Sequence, residues 1–404
     1  MSERYVGAWE QAGLFNPLNA PGGSPYQQYQ GVWTLSQASD AVAQGKWPSP
    51  PAPHLYTWGD NSLGQLGLGD TTSRSSPTQL GTLTNWSAFS INGCSLAVKA
   101  DGTLWAWGLG NTGQLGLNNN TWYSSPKQVG ALTTWSKVFA NYRSAFALKT
   151  DGTLWAMGDG SNGQLGLGNT TYYSSPKQVG ALTNWSVVSG NGSGYLVAVK
   201  TDGTLWSWGN NAFGQLGLGN ITNYSSPKQI GALTTWTYAR SGYICTYGIQ
   251  SNGTLWSWGY NASGGLGLGN TTYYSSPKQV GSLTNWSAVV GMQNSAVALK
   301  TDGTLWGWGD NSFGQLGLNN TTAYSSPKQI GALTNWAQIH GFSVAVIAIK
   351  TDGTIWSWGN NGSGILGLNN TTGYSSPKQI GSLTSWTNLA LSNGGTAILA
   401  IAKT

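Results

Sequence analysis

The chain has 404 residues, of which only 7% are charged, while glycine occurs 60 times and tryptophan 23 times. Ordinary soluble proteins carry about 25% charged residues, so this composition excludes a disordered charged tail and a helical bundle held together by surface charges. Glycine and tryptophan at this density indicate tight turns and aromatic-rich β-sheet packing. The net charge of +6 suggests an anionic partner, although most lysines recur singly rather than in clusters.

The first 53 residues differ in composition from the rest of the chain. They contain seven of the 14 prolines and both glutamates. We predict an extended N-terminal anchor arm over residues 1–53, with one short helix that begins near Thr34 and ends between Gly45 and Pro48. A helix this short needs a surface to lie on. The side chains expected to provide the attachment are Trp9, Trp33, Leu35, Val42 and Trp47.

Residues 31–48, GVWTLSQASDAVAQGKWP, resemble segments near the start of tailed-bacteriophage virion proteins, in which a short anchor precedes a variable module. The resemblance implies that the arm binds other virion proteins, and it leaves oligomerisation through the arm open. The first residues, MSERYVGAWEQ, have acids where a signal peptide needs an apolar core, and no apolar run approaches the length of a membrane span. We therefore expect synthesis in a host cytoplasm, localisation in the virion and no membrane insertion.

Residues 54–404 are built from seven repeats. A complete repeat reads TDGTLWSWG, then a loop such as NNAFGQLGLGN, then YSSPKQIGALTTW, and last a variable stretch that ends in a short apolar run. Periods of about 40 to 50 residues with short β-type runs indicate propeller blades. The step that marks each repeat is Trp-Gly, or Met-Gly once, and it recurs every 49 to 51 residues, at Trp58, Trp107, Met157, Trp208, Trp258, Trp308 and Trp358.

The two ends of the repeat region complement each other. The last repeat stops at Thr404, where the other repeats continue into a segment like Asp-Gly-Thr-Leu-Trp, and the first repeat begins with the missing strand at residues 54–58. We therefore predict an all-β, seven-bladed propeller that is closed by pairing of the C-terminal strand with the first strand. Closure of this kind removes the exposed strand edges that an open stack of repeats would have to cover.

The motifs W-x-W-G and G-Q-L-G-L-G, with the proline that follows them, make the repeats resemble the regulator-of-chromosome-condensation (RCC1) family of propellers. The resemblance covers residues 54–404. It implies the propeller fold, and it makes an intracellular regulator that binds a small GTPase or chromatin one alternative function. Such a regulator is expected to carry acidic or basic interaction patches, and the repeats contain no glutamate.

Catalytic and metal-binding sites are hard to assemble from these residues. The two histidines, His54 and His340, lie far apart in the sequence, so a base with its orienting partner does not recur. Five aspartates share one Asp-Gly turn position, which the turn itself favours. Cys94 and Cys245 lie three repeats apart, so we expect buried free thiols rather than a disulfide. We predict a protein that is not an enzyme, with no cofactor and no metal.

Six repeats carry a lysine directly after the proline of the YSSPKQ motif, at Lys127, Lys177, Lys228, Lys278, Lys328 and Lys378. A ring of one charge sign is a candidate site for an anionic ligand such as a glycan. Solubility of a charge-poor protein is the alternative explanation. Base-specific DNA reading favours arginine, of which the chain has four, so nucleic acid is not an expected partner.

The stretch between the single tryptophan of each repeat and its apolar run differs between repeats in both length and content. Its tyrosine, arginine, asparagine and glycine residues are typical of adaptable binding surfaces, although drift of unconstrained loops would also produce variation. The side chains predicted to contact a partner are Tyr142, Arg143, Tyr195, Arg240, Tyr243, Met292, His340 and Phe342.

These observations predict a non-enzymatic structural and recognition protein of a tailed-phage virion, either a tail appendage or a capsid decoration. The arm would attach the protein to the particle, and the propeller loops would bind a host-surface glycan or protein. The alternatives are the RCC1-like regulator and a bacterial surface lectin, which would need an export signal.

Overall fold

The computed structural model describes residues 53–190, 193–389 and 396–403, together with two short strands nearer the N-terminus. All regular secondary structure in these residues consists of β-strands. A search of the same residues for a helix long and apolar enough to cross a membrane finds none.

The chain divides into two compact units, Met1–Ala52 and Pro53–Thr404. In the first unit, β1 (Arg4–Tyr5) pairs antiparallel with β2 (Trp33–Thr34). The short helix and the attachment side chains predicted for the arm lie outside the residues whose side chains the structure describes.

The second unit forms seven four-stranded antiparallel sheets, which are the blades of a propeller. Blade 1 consists of β5 (Trp86–Ile91), β6 (Cys94–Lys99), β7 (Leu104–Gly108) and β8 (Tyr123–Gln128). Blade 2 consists of β9 (Trp135–Ala140), β10 (Ser144–Lys149), β11 (Leu154–Gly158) and β12 (Tyr173–Gln178). Blade 3 consists of β13 (Trp185–Gly190), β14 (Tyr195–Lys200), β15 (Leu205–Gly209) and β16 (Tyr224–Gln229). This architecture confirms the all-β, seven-bladed fold that the repeats predict.

The remaining blades repeat the same pattern. Blade 4 consists of β17 (Trp236–Ser241), β18 (Cys245–Gln250), β19 (Leu255–Gly259) and β20 (Tyr274–Gln279). Blade 5 consists of β21 (Trp286–Gly291), β22 (Ser295–Lys300), β23 (Leu305–Gly309) and β24 (Tyr324–Gln329). Blade 6 consists of β25 (Trp336–Gly341), β26 (Ala345–Lys350), β27 (Ile355–Gly359) and β28 (Tyr374–Gln379). Blade 7 consists of β29 (Trp386–Leu389), β30 (Ala397–Lys403), β3 (Pro53–Gly59) and β4 (Arg74–Gln79).

Each blade runs as a meander from its innermost to its outermost strand. The first strand is innermost, because the first strands of neighbouring blades contact one another around the ring. Second strands such as β22 are buried along their whole length, which explains their nearly continuous apolar sequence. The fourth strand, with the YSSPKQ sequence, is outermost and half-exposed, as expected for a strand with a single neighbour in its sheet.

The core of the propeller lies between the blades. Trp308 of blade 5 is fully buried, and its indole N–H donates a hydrogen bond of 2.8 Å to the carbonyl oxygen of Gly265 in blade 4. Its ring also meets Trp286 of the innermost strand edge to face, with ring centroids 6.1 Å apart. The second tryptophan of W-x-W-G therefore joins consecutive blades, and blade 2 has Met157 at this position.

The ends of the repeat region close the ring as predicted. Strand β30 lies between β29 and β3, with Ala402 opposite His54 and Ile398 opposite Trp58. The Trp58 indole donates to the carbonyl oxygen of Ile365 in blade 6 at 2.9 Å, which is the contact that joins every other pair of neighbouring blades except blades 1 and 2. Blade 7 is therefore held both by strand pairing and by inter-blade packing.

Candidate functional site

The meander places two kinds of connection on opposite faces of the propeller. The loops that join first to second strands and third to fourth strands lie on one face, which we call the variable-loop face. The tight turns between second and third strands, and the links from one blade to the next, lie on the other face, which we call the turn face. Because antiparallel strands reverse at each connection, this division follows directly from the order of the strands.

On the variable-loop face, loops of neighbouring blades are hydrogen-bonded to one another. The backbone N–H of Tyr243 donates to the carbonyl oxygen of Met292 at 3.3 Å, and the N–H of Gln293 donates to the carbonyl oxygen of Ser343 at 3.0 Å. Loops from blades 4, 5 and 6 are thereby joined beside the innermost strands. In these three blades, the segments that vary most between repeats therefore form a connected surface.

Three of the predicted contact residues are exposed on this surface. Tyr142 and Tyr243 are 47% and 46% exposed. Tyr142 lies across Gly93 of the preceding blade, where a Cβ would come within 2.8 Å of the tyrosine ring. Arg143 is half-exposed, and its Nε lies 3.6 Å from a carboxylate oxygen of Asp159. These side chains are held in place and still accessible, as an interface contact requires.

The structure buries four other predicted contact residues, so they are not part of the exposed surface. Tyr195, Met292, His340 and Phe342 are each less than 6% exposed. The Tyr195 hydroxyl donates to the carbonyl oxygen of Cys245 in the next blade. Tyr195 and His340 lie on strands β14 and β25, and Met292 and Phe342 belong to apolar clusters that extend into the next blade.

Arg240 lies on the innermost strand β17 and is only partly exposed. Its guanidinium carbon lies 4.9 Å from the centre of the Tyr238 ring, and its Nε donates to the Tyr238 hydroxyl at 3.1 Å. The same hydroxyl donates to the carbonyl oxygen of Val289 in the next blade. The predicted contact residue Arg240 therefore has intramolecular partners that orient its charge.

An exposed aromatic cluster on the same face is a feature that the sequence did not single out. Phe213 and Tyr273 are exposed, and the Phe213 and Tyr260 rings meet edge to face at 5.2 Å. Tyr260 also packs against Tyr273 at 4.7 Å, and its N–H donates to the carbonyl oxygen of Ile244 in a variable loop. Aromatic side chains dominate many binding hot spots. The signal available in the sequence was Tyr260 itself, at a position where other repeats have Asp, Asn or Leu.

The groups considered for catalysis are dispersed and mostly buried. Cys94 and Cys245 are free and buried, and burial raises the pKa of the two thiols to about 12 and about 11. Both thiols therefore stay protonated at neutral pH and are poor nucleophiles. His54 Nδ1 lies 3.1 Å from the Gln79 side-chain nitrogen in blade 7, whereas His340 is buried in blade 6 against Phe342.

The six lysines of the YSSPKQ motif are exposed near the turn face, on the outermost strands. Each ammonium group lies over the tyrosine ring of its own strand, as for Lys127, whose Nζ is 5.5 Å from the centre of the Tyr123 ring. A weak cation–π contact of this kind leaves the charge available to solvent and to an anion.

A second set of lysines on the turn face was not recognised in the sequence. The Nζ of Lys350 lies 3.9 Å from the centre of the Trp356 ring and 4.9 Å from that of Trp336, so the ammonium group contacts two indoles. Burial lowers the pKa of Lys350. The sequence signal was a lysine at the end of the second strand in blades 1, 2, 3, 5 and 6, always six residues before the first tryptophan of the third strand. The lysines held in this way are Lys99, Lys149, Lys200, Lys300 and Lys350.

The turn-face aspartates are structural. The Asp302 carboxylate accepts hydrogen bonds from the Thr304 hydroxyl and backbone N–H, and these bonds lower the pKa of Asp302. The other Asp-Gly turns repeat this geometry.

On the variable-loop face, Asp60 and Asp310 accept hydrogen bonds from glutamine and serine side chains of their own loops. A search of the described residues for three or more clustered His, Cys, Asp or Glu side chains, as a metal site would need, finds none.

The geometry defines a seven-bladed β-propeller that presents irregular loops on one face of a repetitive scaffold. The repeats match the family model of the regulator of chromosome condensation (RCC1) repeat, and the chain belongs to this family. A second model of the same repeat matches residues 135–164 and 187–215. The segments matched by the first model are residues 54–91, 101–148, 151–198, 202–248, 252–299, 302–341 and 352–399.

Solved structures share the fold at low sequence identity. Human WBSCR16 superposes with a TM-score of 0.78 at 20% identity, over 87% of this chain and 99% of that chain. Yeast RCC1 (Prp20), solved bound to Kap60, superposes with a TM-score of 0.77 at 19% identity, over 88% of this chain and 89% of that chain. Prp20p of Saccharomyces cerevisiae gives 0.74 at 19% identity, over 88% and 92% of the two chains. No curated protein matches the sequence.

Proposed function

We propose that this chain is a non-enzymatic protein-binding propeller whose variable-loop face contacts the partner. The observation that carries this proposal is the set of exposed aromatic and arginine side chains on that face, including Tyr142, Arg143 and Tyr243, on loops that contact the loops of neighbouring blades. Aromatic and arginine residues supply large contact areas and directed hydrogen bonds at interfaces. A scaffold of repeated blades holds them at little entropic cost on binding.

Two of the solved relatives support a protein as the partner. Yeast RCC1 was solved bound to Kap60, and Prp20p is described with its binding to Gsp1p and histones. We therefore favour an RCC1-like regulator, which binds a small GTPase or chromatin protein, over a virion protein or a surface lectin.

The virion role stays a prediction. It rests on the resemblance of residues 31–48, of which the structure describes only Trp33–Thr34. Attachment to other virion proteins stays a prediction for the same reason, and a host-surface ligand of the propeller loops stays a prediction as well.

The experiment compares binding of the full chain with that of a Tyr142→Ala, Arg143→Ala, Tyr243→Ala triple variant. Titration calorimetry is run against Gsp1p and against histones, alongside affinity capture from the source cells. Truncation of a hot-spot side chain costs at least about 2 kcal/mol of binding, whereas loss of an exposed loop side chain changes stability by about 0.5 kcal/mol at most. The triple variant is therefore expected to lose the partner and keep its melting temperature.

The matched control changes the opposite face. Leu132 and Leu182 are exposed on the turn face, and replacing both by Ser is expected to leave this binding unchanged. Equal binding by the triple variant and the wild type, with loss in the Leu132 and Leu182 variant, would contradict the assignment of the site to the variable-loop face.

A further inference from the structure

The turn face carries a ring of exposed leucines. Each blade contributes one, from the link that leads into the innermost strand of the next blade, and each is between 38% and 51% exposed. Scattered exposed leucines are ordinary, but one at the same position in every blade forms a repeated apolar pattern. The seven residues are Leu83, Leu132, Leu182, Leu233, Leu283, Leu333 and Leu383.

Two of these leucines border clefts between adjacent blades. Leu333 lines a cleft of about 380 Å³ together with Ile330, Trp336, Trp356 and Pro377. Leu383 lines the equivalent cleft of about 450 Å³ at the next blade junction, with Trp386 and Pro77 at the positions of Trp336 and Pro377. Each cleft has the size and apolar lining to accept a large apolar side chain.

The innermost-strand tryptophan in each cleft has unused hydrogen-bonding capacity. The indole N–H groups of Trp336 and Trp386 are buried and have no hydrogen-bond partner among the described residues. Buried donors without a partner are uncommon in proteins. The same holds at all seven equivalent positions, which are Trp86, Trp135, Trp185, Trp236, Trp286, Trp336 and Trp386.

Positive charge surrounds the clefts. Lys328 and Lys378 are exposed beside Gln329 and Pro377 of the first cleft. In the propeller, thirteen lysines and five aspartates lie at the turn-face ends of strands, whereas three arginines and four aspartates lie toward the variable-loop face.

From this combination we infer that the turn face is a second binding surface, for an acidic protein segment that carries spaced, large apolar side chains. The apolar side chains enter the inter-blade clefts beside the leucines, and the flanking carboxylates meet the exposed lysines. A sugar would need several polar partners inside each cleft, and the clefts are lined mainly by carbon. This surface is distinct from the variable-loop face, so it extends the proposed function rather than depending on it.

The test uses a fluorescein-labelled peptide of five Asp-Leu-Asp-Phe units and a control peptide in which Ser replaces every Leu and Phe. Fluorescence anisotropy measures binding of both peptides to the full chain. The Leu and Phe peptide is expected to bind at least about tenfold more tightly, because each apolar side chain leaves water. Equal binding of the two peptides would mean that charge alone is recognised, and it would overturn the inference.

Two variants separate the apolar and the charged contributions. Replacing three adjacent leucines by Ser is expected to weaken binding of the Leu and Phe peptide by about tenfold or more, and replacing three adjacent lysines by Gln is expected to reduce both affinity and its dependence on salt. The residues changed are Leu283, Leu333 and Leu383 in one variant and Lys278, Lys328 and Lys378 in the other.

The control variant carries the alanine substitutions at Tyr142, Arg143 and Tyr243 on the opposite face, and it is expected to bind the peptide normally. Its loss of peptide binding, with normal binding in the leucine variant, would overturn the placement on the turn face. Duplex DNA or phosphatidylserine vesicles that bind through the leucines, and that the peptide does not displace, would assign the surface to another occupant and overturn the inference.

Discussion

The variable-loop face and the turn face are built from opposite ends of the same strands, yet they differ in chemistry. The variable-loop face has little net charge, and its exposed Tyr142, Tyr243 and aromatic cluster occur in particular blades only. The turn face is cationic and repeats the same leucine, lysine and tryptophan arrangement around the ring. One scaffold therefore presents two surfaces. The variable-loop face suits a single specific partner, and the turn face suits a partner with a repeating sequence.

Backbone geometry explains why the turn face is so uniform. Gly303 has a φ of +77°, and a Cβ at this position would lie 2.1 Å from the carbonyl oxygen of Thr334. Only glycine fits such a turn. The Asp302 carboxylate then closes the turn through Thr304. The variable loops meet their neighbours through backbone hydrogen bonds and through buried side chains such as Tyr195, and both kinds of contact leave the exposed side chains free to differ.

Deletion of residues 397–404 is expected to have the largest effect, because it should prevent the propeller from folding and so remove both faces. The deletion removes β30, which pairs with both β29 and β3, and it leaves two unpaired strand edges. We expect aggregation and no cooperative thermal transition, measured by size-exclusion chromatography and calorimetry. Deleting only residues 403–404 serves as the control. A monomeric 397–404 deletion with an unchanged melting temperature would contradict closure by β30.

A substitution in the core between two blades is expected to destabilise both faces together without breaking the strand pairing that closes the ring. Trp308→Ala removes a fully buried indole and its hydrogen bond to Gly265, and it should lower the free energy of unfolding by about 3–5 kcal/mol. Trp308→Met is the matched control, because blade 2 has Met157 at the same position, and it should cost less. Chemical denaturation measures both variants, and equal losses would show that the indole has no special role.

The smallest expected effect is confined to the turn face and depends on pH. Hydrogen bonds from Thr304 lower the pKa of Asp302 below its value of 3.8 in the unfolded chain. The unfolded chain therefore binds more protons as the pH falls, so the stabilisation is present above about pH 4 and is lost as the pH falls through the folded-state pKa.

The variant that tests this effect is Asp302→Asn, because blade 4 carries Asn252 in the same turn and Asn252 makes the same bonds to Thr254. We expect the turn to be kept and the acid-dependent loss of unfolding free energy between pH 5 and 2 to become smaller. Denaturation curves across this range provide the measurement. A pH profile identical to that of the wild type would show that the charge on Asp302 contributes nothing.

Much of the candidate site was outside the reach of sequence reasoning. Tyr142 and Tyr195 occupy similar places in their repeats and have similar chemistry, but Tyr142 is exposed and Tyr195 is buried with its hydroxyl bonded to the next blade. Exposure at these positions depends on residues about 50 positions away in the neighbouring blade. The aromatic cluster of Phe213, Tyr260 and Tyr273 arises in the same way, from loops of two different blades.

The sequence by itself determined the number of blades and the closure of the ring. These features follow from local periodicity, from turn residues with restricted backbone angles and from a missing strand at one end that the other end supplies. Only the tertiary structure decided which loop side chains are exposed, how lysines lie between pairs of tryptophans, and where leucines border the inter-blade clefts. Those properties depend on contacts between side chains of adjacent blades, because the distance and angle between two blades are set by packing rather than by any single repeat.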